Sequence, residues 1–107
     1  MNQLAKVVVT VPENDADKLR EAIGKADGGV IGNYTHCSFS FKGAGRFKPE
    51  SGASPTIGEV GKLEEVNEER IEITCELDKL DNLIKAIRKV HPYEEPAIDI
   101  YPMLQID

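Results

Sequence analysis

The sequence lacks any apolar run close to the roughly 20 residues that a membrane-spanning helix requires. Its first residues, Met1 to Leu4, do not show the charged and then apolar layout of a secretory signal peptide. It contains only two cysteines, Cys37 and Cys75, and no C-x-x-C motif, which suits a reducing compartment. We therefore expect a cytoplasmic protein with no membrane partner.

Positive charge is also scarce. The 107 residues carry 13 Lys and Arg against 19 Asp and Glu, which gives a net charge of −6 and a pI near 4.9. An acidic surface repels phosphate backbones and anionic lipids, so we expect no nucleic-acid partner. The hydrophobic share of 40% is ordinary for a globular protein. A chain of this length suits one domain, which we predict over residues 1–107.

Hydrophobic periodicity predicts the order strand, helix, strand, strand, helix, strand. The predicted elements are strand 4–11, helix 14–26, strand 34–41, strands 62–66 and 69–77 around a polar turn, helix 78–90 and strand 97–104. With right-handed crossovers, this order gives a ferredoxin-like βαββαβ sandwich of the α+β class. We expect a four-stranded antiparallel sheet, a small extra strand, and two helices on one face.

Alternation along the strands predicts which side chains face the helices. Cys37, Phe39 and Phe41 are expected to point inward, as are Ile71 and Cys75, so that both thiols are reduced and buried. The opposite face mixes polar, aromatic and β-branched residues, a composition that suits a wet interface between subunits. Its predicted members are Lys6, Val8, Thr10, Tyr34, His36, Ser38, Glu72, Thr74, Asp99 and Tyr101.

Two groups of motifs resemble known families. His91-Pro92-Tyr93-Glu94-Glu95-Pro96 resembles the His-Pro-Tyr-Glu-x-Pro signature of CutA, a trimer with a PII-like ferredoxin fold. Together with residues 32–39, 43–49 and 57–61, it makes the sequence similar to the CutA-like insert domain of the NIF-three-like, or YqfO, family. The resemblance runs from about Leu4 to Met103 and implies a stand-alone version of that insert. The two-metal centre of full-length members lies on flanking domains, so no dinuclear hydrolase activity is implied here.

The stretch 42–61 is the first candidate site. It holds five of the nine glycines and two of the six prolines, and it shows neither strand nor helix periodicity. Long irregular connections are often functional, and in PII proteins the corresponding T-loop senses ligands. Gly43, Gly45, Arg46 and Lys48 are therefore predicted to bind a small anionic ligand through backbone N–H groups and positive charge. A structural interpretation is slightly favoured over this one. In it the glycines only permit tight turns, Phe47 packs the loop onto the body, or the loop contacts another subunit.

The segment 91–96 is the second candidate site. His91 with Glu94 or Glu95 offers nitrogen and oxygen ligands to a divalent metal, if a neighbouring subunit completes the site. An architectural interpretation is favoured, in which Pro92 ends the helix, Pro96 begins the strand and Tyr93 packs at a junction.

These observations favour a binding module over an enzyme, since no catalytic triad, activated cysteine or paired buried carboxylate is readable. The main hypothesis is a homo-oligomeric small-ligand-binding or regulatory module, with a trimer favoured over a dimer. One alternative is a divalent-metal-binding, metal-tolerance protein like CutA, for which the metal would be the only cofactor. The other alternative is a structural partner of a separate metal-dependent hydrolase.

Overall fold

The computed structural model describes residues 3–106, which form four strands and two helices. They are β1 (Leu4–Pro12), α1 (Ala16–Lys25), β2 (Phe39–Phe47), β3 (Glu64–Glu76), α2 (Leu80–Val90) and β4 (Ile98–Pro102). The sheet order is β2-β3-β1-β4 with every pair antiparallel, so the predicted ferredoxin-like α+β fold is confirmed. Within the described range, no helix is long and apolar enough to cross a membrane.

The hydrophobic core lies between the two helices and one face of the sheet. In the central pair β1–β3, Val9 stands opposite Ile71, and both are fully buried. The helices contribute Leu19 and Ile23 from α1 and Leu83 and Ile87 from α2. Burying an aliphatic side chain of this size contributes roughly 1.5–3 kcal/mol, so these stripes fix both helices to the sheet.

Both helices begin later than the sequence predicted. A short 3-10 turn, Glu13–Asp15 or Leu77–Lys79, precedes each helix, and neither helix has a side-chain cap hydrogen bond. Asn14 and Asp78, with which the predicted helices begin, lie in these turns and cap neither helix. Packing of the apolar stripes, rather than capping, sets where the helices lie.

The middle of the chain departs most from the prediction. The segments predicted as strands 62–66 and 69–77 form one continuous strand, β3, and β2 runs on to Phe47. The sheet of the described residues thus contains no extra strand, and the irregular stretch shrinks to residues 48–63. The cause is pairing: Gly43 stands opposite Glu68 and Ala44 opposite Asn67, and these ladder contacts override weak local strand propensity.

The sheet register defines a helix-free face. Its residues include Lys6, Val8 and Thr10 of β1, Phe39, Phe41, Gly43, Gly45 and Phe47 of β2, Glu64, Val66, Glu68, Arg70, Glu72 and Thr74 of β3, and Asp99 and Tyr101 of β4. Seven of the ten residues predicted for this face lie on it. Tyr34, His36 and Ser38 do not, because the strand begins only at Phe39. The His36 ring instead lies against Gly24 of α1.

The inward placement predicted for Phe39 and Phe41 is wrong. Ser40, between them, stands opposite the buried Ile71, so strand alternation turns both rings to the helix-free face. There Phe39 is 67% exposed and Phe41 49%. On the helix side, Arg20 of α1 donates a hydrogen bond to Ser40, which gives this edge strand a polar contact with the helical layer.

The two cysteines differ in burial. Cys75 is 2% exposed, as predicted, whereas Cys37 lies in the connection before β2 and is only half-buried. Both are free thiols.

The hairpin of β2 and β3 projects from the body of the sheet. Strand β1 pairs with β3 only as far as Pro12 opposite Glu68, while β2 accompanies β3 to the pair Phe47 and Glu64. The molecule is accordingly elongated, 49 Å by 23 Å by 22 Å. This projecting end leaves one side of the hairpin open to be covered by loops.

Candidate functional site

A cavity of about 570 Å³ lies on the helix-free face where the hairpin projects. Three parts of the chain surround it: the second half of β2, residues 48–57 of the following loop, and residues 93–97 before β4. Gly43, Gly45, Arg46 and Lys48, predicted as ligand-binding residues, line it together with Glu94 and Glu95. A volume of this size falls in the range of small-molecule sites, roughly 300–1,000 Å³. The structure therefore brings the two predicted sites together in one place.

The glycines of β2 leave the cavity wall bare. Gly43 has open space where a side chain would begin, with no atom within 4 Å. At Gly45 a Cβ would lie 2.0 Å from Oε1 of Glu68, so a larger residue would force that carboxylate to move. The two glycines thus have different roles, since one keeps the cavity open and the other accommodates Glu68.

Glu68 is the most buried acidic residue at the site, with 7% exposure. The Tyr93 hydroxyl donates a 2.7 Å hydrogen bond to its Oε2. Burial, the hydrogen bond to Glu68 and the nearby negative charges of Glu68 and Asp15 raise the pKa of Tyr93 well above its ordinary value. Tyr93 consequently keeps its proton and remains a donor at physiological pH.

Aromatic rings flank this pair. Phe47 packs edge-on against Tyr93 with ring centroids 5.6 Å apart. Across the cavity wall, Arg70 lies 5.9 Å from the ring centroid of Phe41 and donates a hydrogen bond to Glu72. The wall therefore combines apolar rings with a cation that already has an acidic partner.

His91 is buried beside the cavity but does not line it. Its Nε2 lies 2.7 Å from the carbonyl oxygen of Thr10, which only accepts, so Nε2 carries the proton. Its Nδ1 accepts a hydrogen bond from the backbone N–H of Tyr93. Neither ring nitrogen has a free lone pair for a metal, and His91 instead anchors the segment 91–96 to β1.

The other predicted metal ligands are also committed or dispersed. Glu94 accepts a hydrogen bond from the backbone N–H of Ser54. Within residues 3–106, no three His, Cys, Asp or Glu side chains gather closely enough to hold a metal ion. Residues 3–106 of one subunit therefore do not by themselves bring His91, Glu94 and Glu95 together as a metal site, and a site completed by a neighbouring subunit stays a prediction.

Two hydrogen bonds close the loop 48–63 over the cavity. Besides the bond from Ser54 to Glu94, the Thr56 hydroxyl donates a 2.6 Å hydrogen bond to the carbonyl oxygen of Pro92. At the base of the loop, the N–H of Gly61 donates to the carbonyl oxygen of Pro49. The hydrogen bonds that attach the loop to the segment 91–96 thus come from Ser54 and Thr56, near its tip.

The predicted cations are already paired with carboxylates. Arg46 alternates with Gly45, so its side chain leaves the opposite side of the strand, where Nη2 lies 3.0 Å from Glu65. Lys48 lies 3.7 Å from Glu50. Glu68, Glu94 and Glu95 line the same cavity. The geometry therefore does not favour the small anionic ligand expected from the sequence.

Glu68 and Arg70 are site residues that the sequence reasoning missed. A polar turn was predicted at Asn67-Glu68, which removed Glu68 from any strand face. The available signal was alternation, because Glu68 and Arg70 continue the two-residue period of Glu72 and Thr74. Tyr93 was predicted only to pack at a junction.

No protein-family model matches the chain. Proteins named GTP cyclohydrolase 1 type 2 homolog are 49% identical to it, over 100 residues in Halalkalibacterium halodurans and 102 in Bacillus subtilis. The alignments cover 94% and 95% of this chain but 27% of each relative.

Solved structures of similar proteins agree with this sequence similarity. A Bacillus cereus protein related to NIF3 has a TM-score of 0.83 at 44% identity, covering 95% of this chain and 26% of that chain. The periplasmic divalent cation tolerance protein CutA of Archaeoglobus fulgidus has a TM-score of 0.70 at 16% identity, covering 95% and 85%. The CutA likeness shows the fold alone. The predicted resemblance is confirmed, and the chain spans about a quarter of the curated relatives it matches.

Proposed function

Because the chain is homologous to one segment of NIF3-related proteins, we propose that it is a homo-oligomeric module that binds a small molecule in the cavity of the helix-free face. The observation that carries this proposal is the convergence of residues 43–48 and 93–97 on one cavity of about 570 Å³. The proposal includes a regulatory role, which the loop 48–63 supports because a ligand beneath it would disturb the hydrogen bonds of Ser54 and Thr56. The proposal includes the cytoplasmic location expected from the composition.

Binding in the cavity is tested by filling it. Gly43→Val places a side chain in the open space of the cavity. Lys42→Val introduces valine on the other face of the strand, where it replaces lysine. We expect a fragment library, screened by ligand-observed NMR, to contain fragments that bind the wild type. Lys42→Val should bind the same fragments, whereas Gly43→Val should not. The proposal would be contradicted if the folded wild type bound no fragment, or if Gly43→Val bound every fragment as tightly as the wild type does.

Self-association is supported by the helix-free face and the sheet edges. Phe39, Phe41 and Tyr101 are each about half or more exposed on that face. In the described sheet, β2 and β4 each pair on one side only, and open strand edges invite pairing. A trimer through this face would place the cavity near a subunit boundary.

Light scattering tests the assembly against a monomer of 11.8 kDa. We expect a trimer, with a dimer as the leading alternative. Phe39→Glu should weaken the assembly, whereas Leu77→Glu, an exposed leucine before α2, should leave it intact. A monomer at about tens of micromolar protein, well above the dissociation constant of a stable oligomer, would contradict self-association.

The other functions considered have less support. CutA is named for divalent cation tolerance, but no metal-holding group forms within residues 3–106. The activity in the name of the curated relatives belongs to much longer proteins, and a structural partnership with a separate hydrolase rests on that homology alone. Metal analysis of the purified oligomer tests the first, since a stoichiometric metal would require ligands from more than one subunit.

A further inference from the structure

Glu68 is a nearly buried carboxylate without a cationic partner in the described part of the chain. It is 7% exposed, and the salt bridges formed by residues 3–106 do not include it. Its hydrogen bond from Tyr93 comes from an uncharged phenol. Removing an ionised carboxylate from water is costly unless a cation or several donors compensate for it. The group therefore has unused capacity for a positively charged partner.

The cavity leads directly to this carboxylate. Glu68 lines the cavity, and its Oε1 lies against the backbone of Gly45 while its Oε2 accepts from Tyr93. A carboxylate has about four lone-pair directions, of which the phenol occupies one. A ligand in the cavity can therefore donate to both oxygens without displacing Tyr93.

The rest of the wall suits a flat, apolar body. Gly43 contributes bare backbone with open space in front of it, and the rings of Phe41, Phe47 and Tyr93 line the cavity. Aromatic rings pack favourably at their faces and edges, and they also attract cations. These features favour an aromatic ring over a flexible chain.

The charges around the cavity favour a cation over an anion. Four carboxylates line it, from Glu50, Glu68, Glu94 and Glu95, together with three cations. Each cation already has an acidic partner, since Arg46 pairs with Glu65, Lys48 with Glu50 and Arg70 with Glu72. An anion entering beside Glu68 would meet uncompensated negative charge at low dielectric, where repulsion is strong.

We propose that the cavity binds a flat aromatic cation with paired N–H donors, an aryl amidine or guanidine, whose cationic group rests on Glu68 and whose ring lies against Gly43 and the flanking aromatic side chains. Paired donors match the two oxygens of a carboxylate in a charge-assisted, bidentate geometry. This inference rests on the proposed small-molecule function and names the class of ligand.

Three probes with the same ring test the class: benzamidine, benzamide and benzoate, which are cationic, neutral and anionic. Each is titrated into the ¹⁵N-labelled full chain, and the amide shifts of Gly43, Gly45 and Glu68 are followed. We expect benzamidine to bind at least about tenfold more tightly than benzoate, because only its charge complements Glu68. Benzamide should lie between them.

Variants assign the preference to Glu68. Glu68→Gln keeps the shape and should reduce the preference for benzamidine to about threefold or less, since a neutral amide favours neither charge. Glu21→Gln, which neutralises an exposed glutamate of α1 in the helical layer, is the control and should leave the preference unchanged. If Glu68→Gln does not fold, Glu68→Asp retains the charge one methylene further back and should weaken benzamidine binding while keeping its preference over benzoate.

The outcomes separate this inference from the proposed function. Benzamide or benzoate binding at Gly43 and Gly45 as tightly as benzamidine would overturn the ligand class and leave the cavity as a ligand site. A preference that survives in a folded Glu68→Gln would overturn the role of Glu68. Absence of shifts with all three probes would overturn the inference, while the Gly43→Val screen judges the cavity independently.

Discussion

The Tyr93 hydroxyl donates a 2.7 Å hydrogen bond to the Glu68 carboxylate, which joins the segment after α2 to the middle of β3. Two residues earlier, His91 attaches the same segment to the carbonyl oxygen of Thr10 in β1. These contacts hold the segment 91–96 beside the projecting hairpin. The cavity therefore depends on the pair Tyr93–Glu68 as much as on the glycines that line it.

Loss of the phenol should destabilise the fold. Tyr93→Phe keeps the ring packed against Phe47 and removes the donor to a nearly buried carboxylate. We expect the free energy of unfolding to fall by about 1–3 kcal/mol, measured by urea denaturation. Tyr101→Phe, which changes an exposed tyrosine of the helix-free face, is the control and should have little effect. Equal losses in the two variants would contradict a special role for the hydroxyl.

Alkaline pH should erase part of that difference. Burial and the hydrogen bond with Glu68 raise the pKa of Tyr93 above its ordinary 10.0, so the folded state keeps a proton that the unfolded chain releases. The stability from this proton is fully present below about pH 10 and declines above it. The gap in unfolding free energy between the wild type and Tyr93→Phe should therefore narrow as the pH rises above about 10. A gap independent of pH would show that the phenol titrates normally.

Substitution by alanine should change the stability differently at two glycines on the same strand face. At Gly45 the new methyl group would lie 2.0 Å from Oε1 of Glu68, so Gly45→Ala should reduce the free energy of unfolding by about 1–3 kcal/mol. At Gly43 the methyl group meets nothing within 4 Å. Gly43→Ala should be neutral or stabilising by up to about 1 kcal/mol, because alanine loses less backbone entropy in a strand. Thermal or urea unfolding of both variants measures this difference. A larger loss of stability in Gly43→Ala than in Gly45→Ala would show that Glu68 is wrongly placed.

The two thiols should react at different rates with a thiol reagent. Burial, and then the negative charges of Glu76, Asp78 and Asp27, raise the pKa of Cys75, which disfavours the reactive thiolate. Cys37 is half-buried in the connection before β2. We expect Cys75 to react at least about tenfold more slowly than Cys37 in the native protein. Cys37→Ser should remove the fast phase, and a fast phase that survives this substitution would contradict the burial of Cys75.

Parts of the candidate site were predictable because they are local in sequence. The glycine-rich stretch contains Gly43 and Gly45, and the His-Pro-Tyr-Glu motif contains Glu94 and Glu95. All four residues line the cavity. The sequence did not reveal Glu68, because its burial results from the register that brings Gly45 and Tyr93 to it from distant positions. The direction of Arg46 was likewise set by strand alternation once β2 was found to continue beyond Phe41.

By itself, the sequence determined the fold class, the order of the elements and the helix stripes of Leu19, Ile23, Leu83 and Ile87. Burial of a periodic apolar face dominates the folding free energy, and that period is written in neighbouring residues. Only the tertiary structure decided that β3 runs unbroken through Glu68, that Phe39 and Phe41 face away from the helices, and that His91 is an anchor. These features depend on pairing between strands and on hydrogen bonds between residues as far apart as Thr10 and His91, whose energies exceed local preference and leave no local pattern.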